Sequence, residues 1–72
     1  MQTLDLHGLR HHEVDRTVEN FVLLNDPPVK IITGNSLGMR SIVLEVLERH
    51  QFAWDYESDY NLGAIVVTIA TI

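Results

Sequence analysis

The chain has 72 residues, enough for one small hydrophobic core, and a domain of this size buries only about 60% of the surface of its unfolded chain. Hydrophobic residues make up 46% of it and charged residues 21%, a globular balance that argues against a disordered tail. The absence of cysteine excludes disulfides and thiolate metal sites, and a net charge of -5 argues against a broad basic face that coats nucleic acid. We therefore expect a single domain over residues 1–72.

The chain begins with a pattern typical of a short strand. Residues 3–7, T-L-D-L-H, alternate strictly, with Leu4 and Leu6 on one face and Asp5 and His7 on the other. The glycine that follows ends this strand.

A helix is predicted from about His11 to Asn25. Its apolar residues recur at helical spacing and form one stripe: Val14, Val18, Phe21 and Val22. The sequence Asp26-Pro27-Pro28 ends this helix, because proline cannot continue it. The β-branched run V-K-I-I-T at residues 29–33 then predicts a second strand that is largely buried.

A second helix is predicted after the turn at residues 34–36, with Asn35 or Ser36 as its N-cap, and it runs to about His50. Its apolar stripe consists of Met39, Ile42, Val43, Val46 and Leu47. The alternation of side chains over residues 52–59 predicts a third strand. A turn at Asn61-Leu62-Gly63 and a fourth strand over residues 64–72 complete the predicted elements.

The order βαβαββ predicts an α/β fold of the α+β two-layer sandwich kind. Strands that are joined through a helix run parallel, whereas the last two strands, joined by a short turn, form an antiparallel hairpin. Two helices cannot cover both faces of a sheet. We therefore expect a four-stranded mixed sheet with both helices on one face.

A first polar cluster follows the first strand. Ligand sites in such folds form beyond the carboxyl ends of the parallel strands. The first strand brings His7, Gly8 and Arg10 to this edge, and Asp5 lies one pleat back on the same face.

A second polar cluster follows the second strand. It begins with Thr33 and Gly34 and continues through Asn35 and Ser36 into the second helix, which carries Arg40 in its first turns. A helix start offers free backbone N–H groups and a partial positive charge, and both favour a phosphate.

The histidines allow more than one interpretation. Asp5 and His7 are either an acid/base pair, in which the carboxylate fixes the imidazole tautomer, or ordinary polar residues on an exposed face. His7, His11 and His12 could suggest a metal site, but the start of the helix near His11 moves the last two out of register with His7. We therefore predict no metal site, and we interpret His11 and His12 as the start of the helix.

The aromatic residues Trp54, Tyr56 and Tyr60 share one face of the third strand. Such a stripe is more often core beneath the helices than a platform on which bases stack. All five basic residues and all four histidines lie within residues 1–50, so that any anion site belongs to the first half of the chain.

These motifs together resemble the Smr (small MutS-related) domain. The resemblance rests on L-D-L-H-G at residues 4–8, T-G at 33–34 after a helix and a strand, a second helix, and G-A-I-V-V-T-I in the final hairpin strand. It covers essentially the whole chain. Its most specific part is the pairing of L-D-L-H-G with T-G.

The resemblance implies a fold like the C-terminal domain of translation initiation factor three, and a nucleic-acid role in which many such domains nick DNA or cleave RNA. The family's L-D-x-H motif maps onto residues 4–7, with Asp5 and His7 implicated in cleavage, and its T-G-x-G loop maps onto residues 33–36. Ser36 stands where the second loop glycine would be, and Asn35 stands where a basic residue is common. This departure weakens the case for tight phosphate binding.

Two functions stay open at this point. The first is a DNA-nicking or RNA-cleaving endonuclease for structured substrates, in which His7 is the general acid or base and Asp5 orients it. Arg10, Arg40 and the amides after Thr33 would hold the phosphate. The second is a catalytically inactive module of the same fold that binds nucleic acid or docks on a partner protein.

Cofactors and location follow from what the sequence contains. Mg²⁺ or Mn²⁺ could take part only if substrate phosphates completed the coordination begun by Asp5.

The first residues show neither a basic start nor a long apolar run, so we expect no signal peptide, no membrane span and a cytoplasmic protein. The first methionine and the complete set of elements favour a stand-alone chain, which a homodimer contact or a protein partner could stabilise further.

Overall fold

The structure is a computed structural model that describes residues 1–70. Its elements are β1 (Gln2–Asp5), α1 (His11–Leu24), β2 (Val29–Ile32), α2 (Leu37–Arg49), β3 (Phe52–Ser58) and β4 (Asn61–Ala70). The predicted order βαβαββ is confirmed. The last two residues of the predicted fourth strand, 71 and 72, lie outside the described residues.

The sheet has the strand order β1-β2-β4-β3. β1 and β2 are parallel, and β4 runs antiparallel to both β2 and β3. The predicted four-stranded mixed sheet is therefore confirmed. Because β4 is antiparallel to β2, its first residues lie beside the ends of β1 and β2, at the edge where the sequence predicts a site.

Both helices pack on one face of the sheet and leave the other face open, as predicted. The buried apolar side chains come from both helices and from alternate strand positions: Leu6, Val14, Val18, Val22, Val29, Ile31, Met39, Val43, Val46, Leu47, Ile65 and Val67. The helical spacing of the valines in α1 puts them all on the face that contacts the sheet. Phe21 and Ile42 belong to the predicted stripes but are only partly buried.

The first strand is shorter than predicted, because it ends at Asp5 and His7 lies in a turn. The Asp5 carboxylate accepts a hydrogen bond from the main-chain N–H of His7 at 2.9 Å. Such a local bond competes with strand pairing for the same N–H group. The strict alternation of residues 3–7 therefore extended the predicted strand two positions too far, over Leu6 and His7.

The turn between β3 and β4 was predicted at the wrong residues. It lies at Asp59 and Tyr60, and Ser58 pairs directly with Asn61, so β4 begins at Asn61. Gly63 is a buried strand residue, because a Cβ atom at this position would lie 2.8 Å from the carbonyl oxygen of Gly34. A glycine is needed at this position because the backbones of Gly63 and Gly34 approach each other closely. In the sequence alone, such a glycine looks like a turn signal.

The aromatic residues of β3 contribute mainly to the core. Trp54 and Tyr56 pack against it and contact each other edge to face, with ring centroids 5.3 Å apart. Tyr60 is fully exposed in the hairpin turn. The interpretation of this stripe as core is thus confirmed for two of the three residues.

An ionic cluster joins the two helices. Arg49, the last residue of α2, donates to both carboxylate oxygens of Asp15 at 3.4 and 2.7 Å. Arg49 also lies 3.6 Å from Glu19, whose carboxylate is 2.8 Å from the His50 imidazole. The Arg49 guanidinium holds the pKa of the Asp15 carboxyl below its ordinary value, against a smaller opposing effect of burial.

We predict that Asp15→Asn lowers stability at neutral pH and that the difference from wild type disappears in acid. The Asp15 pKa is lower in the folded chain than in the unfolded one. Its contribution is therefore complete above the unfolded value of about 3.9 and is lost as the pH falls towards the folded value. The measurement is the urea midpoint of unfolding from neutral pH to acid, with Asp26→Asn as the control. A difference that stays constant with pH would contradict the assignment.

Candidate functional site

The two polar clusters predicted from the sequence meet in one shallow pocket. This pocket, of about 210 Å³, is lined by Asp5, His7, Ile32, Thr33 and Gly34. It lies where β1 and β2 end, because the parallel pairing of these strands brings their carboxyl ends together. Four of the residues predicted for the site are therefore neighbours in the fold.

Asp5 and His7 are both exposed, but their side chains are not paired with each other. The Asp5 carboxylate instead accepts from the main-chain N–H of His7. Within residues 1–70, the His7 imidazole makes no hydrogen bond to the protein. The geometry thus differs from the expected carboxylate–imidazole pair, since Asp5 fixes the backbone that carries the ring.

Gly8 lets the chain turn from β1 towards α1. Its φ of +85° lies in the left-handed region that favours glycine. The turn is closed by a hydrogen bond from the Leu9 N–H to the Leu6 carbonyl oxygen at 3.1 Å. The main-chain N–H of Gly8 has no partner within the described part of the chain.

The loop after β2 is held by Gly63 of β4. The Gly63 carbonyl oxygen accepts from the Thr33 N–H at 2.7 Å and from the Gly34 N–H at 3.1 Å. The Thr33 hydroxyl, which is buried, lies 3.3 Å from the same oxygen. Thr33 is consequently a structural residue of the pocket wall, and neither of these two amides is free to bind a phosphate.

The free amides of this loop belong to the two residues that follow Gly34. Within residues 1–70, the main-chain N–H groups of Asn35 and Ser36 donate to no protein acceptor. The Ser36 hydroxyl accepts from the Met39 N–H at 3.1 Å and is therefore the N-cap of α2, which decides between the two predicted cap residues. Asn35, Ser36 and Gly8 thus supply the unused donors near the pocket.

The two arginines predicted for the site lie in different surroundings. Arg10 is the N-cap residue of α1, three positions after His7, and its side chain is exposed. The Arg40 guanidinium lies 5.8 Å from the centre of the Tyr56 ring, and its Nε atom is buried without a hydrogen-bond partner. Neither arginine lines the pocket, because Arg10 lies in the loop after His7 and Arg40 lies against Tyr56 of β3.

His11 has a role that the sequence interpretation missed. Its ring lies against Gly38 of α2, where an added Cβ atom would be 2.8 Å from the His11 Cε1 atom. Its Nε2 atom is 3.5 Å from the Ser36 hydroxyl. The starts of the two helices are thus in contact beside the loop, and the isolated glycine inside α2 was the signal for this packing.

The donor atoms at the site do not form a metal cage. Among residues 1–70, no three side chains of His, Cys, Asp or Glu lie close enough together to hold a metal ion. Asp5 supplies the single carboxylate of the pocket.

Within residues 1–70, no helix has the length and apolar composition that crossing a membrane requires.

Comparison with known families identifies the chain as a member of one of them. The model of the Smr domain matches residues 4–70, which include both polar clusters and all six elements in whole or in part. The chain therefore belongs to the Smr domain family, a family of nucleic-acid-binding and nuclease-like domains. No curated protein and no solved structure matches it. The expected likeness to translation initiation factor three stays a prediction.

We predict that Gly63→Ala destabilises the fold and disturbs the pocket, whereas Gly38→Ala does not destabilise it. The new methyl group at Gly63 would meet backbone atoms of Gly34 at 2.8 to 3.1 Å, and forced overpacking of this kind costs about 1–3 kcal/mol. At Gly38 it would meet only the His11 ring, which can rotate away, and alanine favours a helix over glycine by about 1 kcal/mol. Urea unfolding measures both variants, and equal stability of the two would contradict the prediction.

Proposed function

We propose that this Smr domain is an endonuclease that nicks DNA or cleaves RNA in structured substrates, at the pocket where β1 and β2 end. The observation that carries the proposal is the meeting of the L-D-L-H-G and T-G motifs in one pocket, with free main-chain donors around it. The coarser role in nucleic-acid binding comes from the family.

His7 is the group that transfers a proton in this proposal. In hydrolysis a water oxygen attacks phosphorus and the bond from phosphorus to the leaving sugar oxygen breaks. One proton leaves the water and one reaches the leaving oxygen. An exposed imidazole without a protein partner can take or give such a proton, which is the commonest task of histidine in catalysis.

Asp5 acts as a positioning residue. Its hydrogen bond to the His7 N–H fixes the backbone of the turn and thereby the point from which the imidazole projects. A positional error of the order of 1 Å can cost about 100-fold in rate, so this bond matters even though the carboxylate is not hydrogen-bonded to the ring.

The phosphate is held by main-chain donors and one cation. The unused N–H groups of Gly8, Asn35 and Ser36 lie within two residues of the pocket lining along the chain, and the start of α2 adds a partial positive charge. Arg10 follows the same turn. Contacts to phosphate and sugar carry no sequence information directly, which supports recognition of structure over sequence.

The residues of the pocket do not fit a metal held by the protein alone. One carboxylate from Asp5 is too few ligands for Mg²⁺ or Mn²⁺ unless substrate phosphates supply the others. The proposed roles of His7 and Asp5 therefore include no step through a metal.

A non-catalytic module is the second candidate, and two observations favour it. Ser36 occupies the place of the second loop glycine and serves as a helix cap, while the Thr33 and Gly34 amides are already bonded to Gly63. Fewer donors remain for the charge that develops in a transition state. Such a module would bind nucleic acid or a partner protein without cleaving anything.

We predict that His7→Ala removes cleavage and leaves binding intact. Supercoiled plasmid and a structured RNA are incubated with each protein, with and without Mg²⁺ or Mn²⁺, while binding is measured by fluorescence anisotropy. Loss of a general acid or base lowers the rate by about 10²- to 10⁴-fold. If wild type and His7→Ala leave both substrates equally intact, the enzyme is excluded and the binding module remains.

Two variants of Asp5 separate positioning from direct chemistry. Asp5→Asn keeps an oxygen that can accept from the His7 N–H, whereas Asp5→Ala does not. We expect Asp5→Asn to keep most of the cleavage rate and Asp5→Ala to lose it. Equal loss in both variants would show that the charge of the carboxylate takes part in the reaction.

A further inference from the structure

The five cations of the chain fall into two groups. Lys30 is paired with Glu57 on the open face of the sheet, and Arg49 is paired with carboxylates of both helices. Arg10, Arg16 and Arg40 have no carboxylate within 4 Å among residues 1–70. Arg40 is covered by Tyr56, which leaves the two arginines at the amino-terminal end of α1 unneutralised.

These two arginines are exposed, Arg10 at the N-cap of α1 and Arg16 in the first half of the helix. Arg10 directly follows the turn that carries His7 and Gly8. His12 and Arg16 are four residues apart, about 6 Å along the helix axis, and both are exposed in a shallow groove on α1. We call Arg10, His12 and Arg16 the α1 stripe.

Two of the three carboxylates of α1 are engaged away from the α1 stripe. Asp15 and Glu19 point to α2, where they contact Arg49 and His50. Glu13 accepts a hydrogen bond from the main-chain N–H of Arg10 at 3.2 Å. The ionic cluster between the helices thus engages Asp15 and Glu19, and Glu13 is the carboxylate of α1 that lines the groove of His12 and Arg16.

We propose that the α1 stripe is a second contact for the substrate and binds phosphates of the nucleic acid outside the pocket. The proposal rests on the proposed function and sharpens its substrate class. A site made of a one-phosphate pocket and a separate row of cations fits a polynucleotide strand, which carries a phosphate at every step. A small phosphodiester would fill the pocket alone and gain nothing from Arg16.

Charge complementarity selects the occupant of this surface. The stripe offers two permanent cations and a histidine without apolar anchors, which suits a phosphate backbone and gives binding that depends on salt. A partner protein would need apolar area at the centre of its contact. The α1 stripe contains no such area.

The test compares three variants, each of which removes one positive charge. Arg16→Gln removes an unpaired cation of the stripe, and Arg49→Gln removes a paired cation outside it; Lys30→Gln is a second paired control. Binding of a labelled RNA hairpin and of a labelled DNA duplex is measured by anisotropy over a range of salt concentrations. The urea midpoint of each variant shows that it is folded under these conditions.

We expect Arg16→Gln to weaken binding about fivefold at physiological salt and to lower the slope of log K against log salt by about 0.7 to 0.9, the effect of one lost phosphate contact. Both paired controls should keep the wild-type slope. In cleavage assays Arg16→Gln should raise KM and leave kcat unchanged, and it should not affect hydrolysis of bis(p-nitrophenyl) phosphate.

The outcomes separate this inference from the proposed function. If wild type binds and cleaves nucleic acid but Arg16→Gln behaves like the two controls, the α1 stripe is not a contact and the proposed function stands. If wild type neither binds nor cleaves nucleic acid, both proposals are overturned. Binding of polyglutamate that depends on Arg16 as strongly as nucleic-acid binding does would also overturn the inference, because any polyanion would then suffice.

Discussion

The carbonyl oxygen of Gly63 holds the edge of the sheet at which the pocket forms. It accepts from the main-chain N–H groups of Thr33 and Gly34, and the Thr33 hydroxyl lies beside it. These contacts require β4 to enter the sheet between β2 and β3, and they require a residue without a side chain at position 63. Once the loop after β2 is fixed in this way, Ser36 can cap α2 and the amide of Asn35 is left free beside the turn that carries His7.

Salt bridges neutralise two of the five cations of the chain and leave the other three without a carboxylate partner among residues 1–70. Arg49 at the end of α2 is joined to Asp15 and Glu19 in the interior of α1, and the open face of the sheet carries the pair of Lys30 and Glu57. Each pair neutralises a cation, and each exposed pair contributes little to stability by itself. The cations left without a carboxylate partner among residues 1–70 are Arg10, Arg16 and Arg40, of which Arg10 lies in the loop three residues after His7. The charge of this acidic chain is therefore unevenly distributed, and a contact with phosphate depends on the local charge.

Much of the fold could be predicted from the sequence, because the periodicity of apolar residues directly reports which face of an element is buried. The valines of α1 and the run of β2 predicted their elements in this way. Gly63 was mistaken for a turn residue, since a glycine required by a close backbone contact looks the same in a sequence as one required by a turn. The bond from the His7 N–H to Asp5 and the packing of His11 on Gly38 depend on contacts that periodicity does not encode. The pocket residues were predicted from the ends of two parallel strands, whereas the position of Arg40 was not, because it depends on Tyr56, a residue of a strand two places away.

The central claim is that the pocket at the ends of β1 and β2 receives a backbone phosphate. It is tested most directly by an NMR titration of the ¹⁵N-labelled chain with a short RNA hairpin, in which each amide reports its own surroundings. The account predicts the largest shift changes at the free amides of Gly8, Asn35 and Ser36, with smaller changes at Thr33 and Gly34, whose amides stay bonded to Gly63. Changes confined to β3 and the hairpin turn, with these amides unmoved at saturation, would contradict it.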